Sequence, residues 1–338
     1  MFKEKFYIGK KIVSNNSSPI IIAEGGVNHF GCFKKMKKLI DLAKKAGADI
    51  FKTQFYLTSQ MISSLNQEWC NRMVSKEVDI NFIKEAKEYA EKKGLLFLCT
   101  PHDELSFHKL KNLNLLAYKI GSGEKGNFKF LEMICKENKP LIISTGMHSM
   151  SEINNLLIFL KKQKINKVAL LHCVSSYPTP LNDLNLINIK NMMDEYNLPI
   201  GYSDHSDSFL PSYIAASMGV CIVEKHITLD YDIPDAQDWR VSAGPDDFVD
   251  FVKNVKNVRC VIGKKQKKLR VSEIKASKWA LKRVVSSKDL KKNQIINQSD
   301  ILLKRSEKGI EAKDFFKIIG KRIKKSVRKD FPVLKSYF

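Results

Sequence analysis

Pro199–His226 reads PIGYSDHSDSFLPSYIAASMGVCIVEKH. A short apolar run ends in Ser203-Asp204-His205, a helical stretch follows, and a second apolar run ends in Glu224-Lys225-His226. Apolar run, polar tip and amphipathic helix make one β/α unit. The unit recurs along most of the chain. Its apolar runs are Ile20–Ala23, Asp49–Phe51, Leu95–Cys99, Leu116–Ile120, Leu141–Ile143, Val168–Leu171, Pro199–Tyr202 and Val220–Val223. Helical stretches such as Phe33–Ala46 and Asn81–Lys93 lie between them, closed by Gly47 and Gly94, the residue that ends a helix at least cost. Eight such units predict an eight-stranded parallel β/α (TIM) barrel. An open doubly wound sheet is the alternative, but the glycine fingerprint expected after its first strand is missing.

In barrels the chemistry gathers at the C-terminal ends of the strands, where the βα loops converge. Taken in order, the tips carry Glu24 and Asn28; Lys52 and Gln54; Thr100; Lys119, Ser122 and Glu124; Ser144 and Thr145; His172, Ser175 and Tyr177; Ser203, Asp204 and His205; Glu224, Lys225 and His226. Any one of these could cap a helix or shape a turn; eight polar tips in succession describe a site. Lys52 and Lys119, with the hydroxyls of Thr100, Ser122, Ser144 and Ser203, suit an anionic, phosphate-bearing ligand. A Schiff-base lysine is the competing reading. His205 and His226, on consecutive strands, are expected to face one another and to hold a divalent metal with open positions, against the plainer reading of hydrogen-bonded core histidines. Such a metal would act as a Lewis acid on an aldehyde oxygen. Glu24 and Glu224 lie on strands that meet at the barrel seam, placed to orient hydroxyls or move protons, or else to pair with Lys52 or Lys225.

A chain of 338 residues accommodates one barrel and a small second domain. No apolar run is long enough for a membrane span, and MFKEKFYIGKKIV has no apolar signal core, so a cytoplasmic protein is expected. Seven scattered cysteines without a CxxC pair fit reduced thiols better than a disulfide framework or a zinc site. The net charge of +22 is concentrated late: from Lys264 onward there are 24 Lys and Arg against 7 Asp and Glu. These lysines are dispersed, and no aromatic series alternates with them as a nucleic-acid stacking platform requires. A solvated basic surface, helping to attract anionic substrates, is therefore expected instead.

The motifs IIAEGGVNHFG, GADIFKTQFY, YKIGSGE, KPLIISTGM, LLHCVSSYPTP, IGYSDHS and VEKHITLD resemble, in order, those of the sialic acid synthases, a family that includes N-acetylneuraminate, legionaminate and pseudaminate synthases. The resemblance runs from about residue 8 to the end. It implies a transferase that condenses phosphoenolpyruvate with an N-acyl amino-sugar aldehyde such as N-acetylmannosamine, releasing phosphate by C–O cleavage. It also implies manganese or magnesium on His205 and His226, and phosphoenolpyruvate on Lys52, Thr100, Lys119, Ser122, Ser144, Ser175 and Ser203. Glu24, Gln54, Glu124, Tyr177, Asp238 and Glu224 would lie in the rest of the substrate site, with Glu24 and Glu224 moving protons. By the same resemblance the chain divides into a catalytic barrel (1–263), a linker (264–274) and a β-rich, antifreeze-like (SAF) domain (275–338). In a domain-swapped homodimer that domain would bring Arg305 and Trp279 to the partner's barrel, where a planar guanidinium suits an N-acyl or hydroxyl oxygen. Read locally, Arg305 is an ordinary surface arginine.

Three departures fall on the acceptor half. RSEKG replaces the family's RPGxG-like loop after Arg305, losing a rigid proline and a permissive glycine. Ser175 stands where asparagine often precedes YPTP. The segment AQDWRVS carries Asp238, aligned with the sugar-binding aspartate in preference to Asp246, beside a bulky Trp239. Two alternatives stand beside the leading reading: a related phosphoenolpyruvate-dependent aldol-type synthase acting on another aldehyde, such as a phosphorylated sugar, and a non-catalytic barrel serving as a scaffold. The first would call for extra arginines at the strand tips; retention of both histidines, both lysines and both glutamates argues against the second.

Overall fold

Strands built from Ile, Val, Leu and Phe alternate along the chain with helices that bury one apolar face, and the two kinds of element close on each other. The computed structural model describes residues 1–233, 236 and 238–338. It divides into two compact units, Met1–Gly263 and Lys264–Phe338.

The first unit opens with an antiparallel hairpin, β1 (Lys5–Ile8) and β2 (Lys11–Ser14). Then come β3 (Ile20–Gly26), β4 (Ile50–Phe55), β5 (Leu96–Pro101), β6 (Tyr118–Ile120), β7 (Leu141–Ser144), β8 (Val168–Cys173), β9 (Ile200–Asp204) and β10 (Ile222–Ile227). These eight run parallel in the order β5-β4-β3-β10-β9-β8-β7-β6, with β5 and β6 packed against each other to bring the barrel near closure. A short β11 (Ser242–Ala243) adds to β10.

Side chains alternate across each strand, and the alternation explains both barrel faces. Ile21, Ala23, Phe51, Phe97, Tyr118, Ile143, Leu170, Tyr202 and Val223 point outward into a core shared with the helices. Ile20, Ile22, Ile50, Leu98, Ala117, Ile142, Ala169, Leu171 and Ile222 fill the lower lumen. Phe6, Ile8 and Val13 of the hairpin join that inner cluster and plug the barrel floor. The hairpin was not foreseen, although the alternation in KFYIGKKIV and the left-handed Gly9 (φ +55) are its signature.

Most strands run further than their apolar runs suggested. Glu24, Lys52, Gln54, Thr100, Ser144, Cys173, Ser203, Asp204, Glu224 and His226 all lie within strands rather than beyond them. Hydrophobicity ends where the lumen turns polar, but the hydrogen-bonded ladder continues.

In the second unit, helix Val271–Ala280 leads into antiparallel β12 (Lys282–Ser286) and β13 (Ile301–Arg305). The helix crosses the position 274/275 boundary drawn from sequence. Val284, Leu290, Ile296, Ile301, Ile310, Ile318, Ile323, Val327 and Val333 form its core. Apart from that pair of strands, the unit is held by isolated antiparallel bridges and short 3-10 turns; among the described residues its regular strand is confined to β12 and β13.

Candidate active site

Above the apolar lumen the inward positions become polar on nearly every strand. They line a cavity of about 250 Å³ with Glu24, Lys52, Gln54, Thr100, Lys119, Ser122, Ser144, Ser175, Tyr177, Ser203, His205, Glu224 and His226 among its walls. Thirteen residues expected from the sequence are thus brought together.

Two buried lysines and two buried glutamates form its charged centre. Lys52 Nζ lies 2.6 Å from Glu24 Oε2 and 3.7 Å from Glu224 Oε2, while Lys119 Nζ lies 3.5 Å from Glu224 Oε1. Lys52 donates to Thr100 Oγ1 (3.2 Å), Lys119 to Ser144 Oγ (2.6 Å), Gln54 to Glu24 Oε1 (3.0 Å) and Ser203 to Glu224 Oε1 (2.9 Å). Burial by itself disfavours every one of these charges. For Glu224 the two lysines outweigh burial and pull the carboxyl down to about 2. For Lys52, Glu224 and Glu24 outweigh burial and raise the ammonium's pKa. For Lys119, burial prevails over Glu224, aided by Lys52, and its pKa falls. The Glu24–Lys52 ion pair set against a substrate role is therefore present, inside the cavity.

Gly146 packs its backbone against the phosphate-type hydroxyls: its N–H donates to Ser122 Oγ (3.0 Å), and a Cβ there would collide with the hydroxyls of Ser175 and Ser122. On the opposite wall His205 and His226 stand with ring centroids 5.5 Å apart, and Tyr177 stacks on His205 at 4.1 Å. His205 Nδ1 donates to the Val174 carbonyl (2.9 Å), and its Nε2 lies 2.9 Å from the Tyr177 hydroxyl. His226 Nδ1 is buried without a hydrogen-bond partner, and burial lowers its pKa to about 4, keeping the ring neutral. Among the described residues no three His, Cys, Asp or Glu side chains group as a metal cage. Two imidazoles whose ring centroids lie 5.5 Å apart nevertheless fit an open site, in which water or substrate fills the other positions.

Several expected residues lie elsewhere. Strand alternation sends Asp204 and Lys225 outward, where they pair at 3.5 Å; Asp204 also accepts from Ser206 and Ser212. Asn28 ties to the Ile227 carbonyl and Ser242, Thr145 to the Leu171 carbonyl, and His172 to the Leu184 carbonyl. Glu124 accepts from Asn127 (2.8 Å) and lines a neighbouring cavity instead, with Phe128, Leu131 and Leu156. Asp238 is not among the cavity-lining residues; its Oδ2 lies 3.6 Å from His226 Nδ1. Trp239 donates to the Ile233 carbonyl (2.9 Å), while Gln237 lies outside the described residues. In the second unit the Arg305 guanidinium sits 5.7 Å from the exposed Trp279 ring.

His102, Cys173 and Met147 line the cavity without having been foreseen. Cys173 was legible: counting by two from Leu171 passes over His172 and reaches Cys173.

The family match decides the identity: the NeuB family fits residues 39–267. The chain belongs to the NeuB family. This NeuB-family protein is 35% identical over 326 residues to N,N'-diacetyllegionaminic acid synthase of Campylobacter jejuni, covering 92% of this chain and 97% of that one. It is 37% identical over 327 residues to an uncharacterised protein of Methanocaldococcus jannaschii, covering 97% and 96%. The crystal structure of N-acetylneuraminic acid synthetase from Leptospira borgpetersenii, in complex with citrate, superposes with a TM-score of 0.75 at 33% identity, over 81% of this chain and 95% of that one.

Proposed function

We propose that this NeuB-family protein is a nonulosonic acid synthase, condensing phosphoenolpyruvate with an N-acyl amino-sugar aldehyde. The observation that carries the reading is the composition of the cavity: two buried ammonium groups, several hydroxyls, two imidazoles and two carboxylates line one space, with Lys52 on Glu24 and Lys119 near Glu224. Lys52, Lys119, Thr100, Ser122, Ser144, Ser175 and Ser203 hold the carboxylate and phosphate oxygens of phosphoenolpyruvate. A divalent metal, manganese or magnesium, on His205 and His226 would supply Lewis acidity to the aldehyde oxygen. Phosphoenolpyruvate C3 forms the new bond to the aldehyde carbon, whose oxygen takes a proton. Water adds to the cationic C2 and loses its proton to a carboxylate. Phosphate then leaves with the C2–O bond electrons and takes up the proton given by the C2 hydroxyl, giving a 2-keto acid. Glu224, held ionised by the lysines, suits proton removal from that water, and Glu24, bound by Gln54 and Lys52, suits the acceptor hydroxyls.

The acceptor class rests on the names of the relatives, which make legionaminic and N-acetylneuraminic acids. A phosphorylated acceptor is less well served, since no arginine is among the described residues lining the cavity. We extend the proposal to the second unit as an antifreeze-like domain that brings Arg305 and Trp279 to a second copy's barrel.

Phosphate release from phosphoenolpyruvate with manganese and a panel of N-acetylated mannosamine, 2,4-diacetamido and 6-deoxy sugars tests the reading. Release dependent on one acceptor class is expected. No release with any acceptor, together with no binding of phosphoenolpyruvate, rejects it. His205→Ala and His226→Ala should each abolish metal-stimulated turnover; full stimulation in either rejects that ligand.

A further inference from the structure

His226 is buried, and its Nδ1 makes no hydrogen bond. Asp238 Oδ2 stands 3.6 Å from that nitrogen, just beyond hydrogen-bond range. The space between them is maintained by Gly26, whose backbone lies in the left-handed region (φ +49); a Cβ there would stand 2.8 Å from Asp238 Oδ2 and 3.4 Å from His226 Nδ1. Asp238 opens the short helical turn Asp238–Val241, and its carbonyl accepts from Ser242 Oγ at 2.5 Å. Ser242 in turn pairs with His226 in the β10–β11 ladder and receives the Asn28 amide at 3.2 Å. The main chain of Asp238 is therefore tethered to the residue that pairs with His226 across the ladder. Closing the gap takes about half an ångström.

We propose that Asp238 is a positioning residue for His226: it accepts a hydrogen bond from Nδ1–H, fixes the tautomer and turns the Nε2 lone pair toward the cavity. This rests on His226 being a metal ligand, as proposed above, and gives Asp238 a task other than the sugar contact expected from sequence. A ligating imidazole held from behind by a carboxylate gains both orientation and basicity. The glycine at position 26 has its physical reason in the same pairing.

The test is manganese binding by the full-length protein without substrate, followed by electron paramagnetic resonance of free Mn2+. Asp238→Ala should weaken binding roughly 10–100-fold, and Asp238→Asn, which keeps an acceptor oxygen facing Nδ1–H, should lose less. The unfolding midpoint of the metal-free protein should stay unchanged in both variants, which separates positioning from a structural role. Asp238→Ala with unaltered manganese affinity, whatever happens to the sugar KM, overturns the inference and returns Asp238 to substrate contact. If the unaltered protein binds no manganese, the metal reading falls and this role falls with it; phosphate release in metal-free buffer would then show whether the synthase reading survives.

Discussion

Glu224→Gln removes one charge from the cavity while nearly preserving shape, so its effects can be worked from the geometry. Glu224 sits 3.5 Å from Lys119 and 3.7 Å from Lys52, and accepts from Ser203 at 2.9 Å. Its carboxyl is depressed from the usual 4.5 to about 2, a difference worth about 3 kcal/mol for so buried a group. A depressed acid contributes stability that is fully present above pH 4.5 and lost as pH falls through about 2. At pH 7 the substitution therefore forfeits all of it. For a unit of this size that lowers the melting temperature by roughly 6–12 °C. The same change leaves Lys119 without its nearest carboxylate and the cavity with excess positive charge. Inorganic phosphate and phosphoenolpyruvate should then bind at least as tightly as before and raise the melting temperature more than in the unaltered protein, while phosphate release falls by orders of magnitude. Thermal shift with and without phosphate, beside single-turnover assays, reads all of this. A variant that melts as the unaltered protein does and binds phosphate more weakly would refute the electrostatic account.

Asp204→Ala strands the buried Lys225 ammonium away from the cavity, and should cost roughly 3–5 kcal/mol in urea unfolding; a loss below about 1 kcal/mol rejects the outward ion pair. His29 is buried with Nε2 unpartnered, and burial pulls its pKa from 6.5 to about 4. Stability should thus be fullest above pH 6.5, decline between 6.5 and about 4, and level off below. His29→Gln should recover up to about 3 kcal/mol of that decline, and an identical stability–pH slope would exclude His29 as its source. Mixing Arg305→Ala chains with His226→Ala chains should restore part of the turnover if Arg305 serves a second copy's barrel; no recovery in demonstrably mixed dimers sinks that arrangement.

The barrel was legible because its two periodicities are written in the residues: apolar runs that the helices cover, and polar groups where those runs stop. The site was legible for a related reason. Ser203 and His205, or Glu224 and His226, are two apart, so one strand aims both into the lumen. Where the apolar runs stop, the strands continue, and the side-chain alternation continues with them. Asp204, Lys225 and His172 were grouped with the site although the odd count sends them outward, whereas Cys173 and its inward face were overlooked. The floor hairpin was missed because four-residue strands with half their side chains exposed carry little apolar signal.

What the sequence could not convey is distance between groups remote in the chain. Nothing in AQDWRVS tells whether Asp238 meets a sugar hydroxyl or an imidazole; both are compatible with an aspartate at that alignment position. Three coincident facts support the imidazole: an unpartnered Nδ1, a carboxylate oxygen 3.6 Å away, and a glycine whose side chain would fill the gap. The same reasoning bears on the departures from the family pattern. Ser175 packs its hydroxyl against Gly146 beside Ser122, so tightly that a Cβ on Gly146 would collide with both. Trp239, by contrast, spends its indole N–H on the Ile233 carbonyl, so its bulk braces the turn that carries Asp238. Under the proposed Asp238–His226 pairing, acceptor preference should follow Trp239 only as far as the turn it braces transmits it.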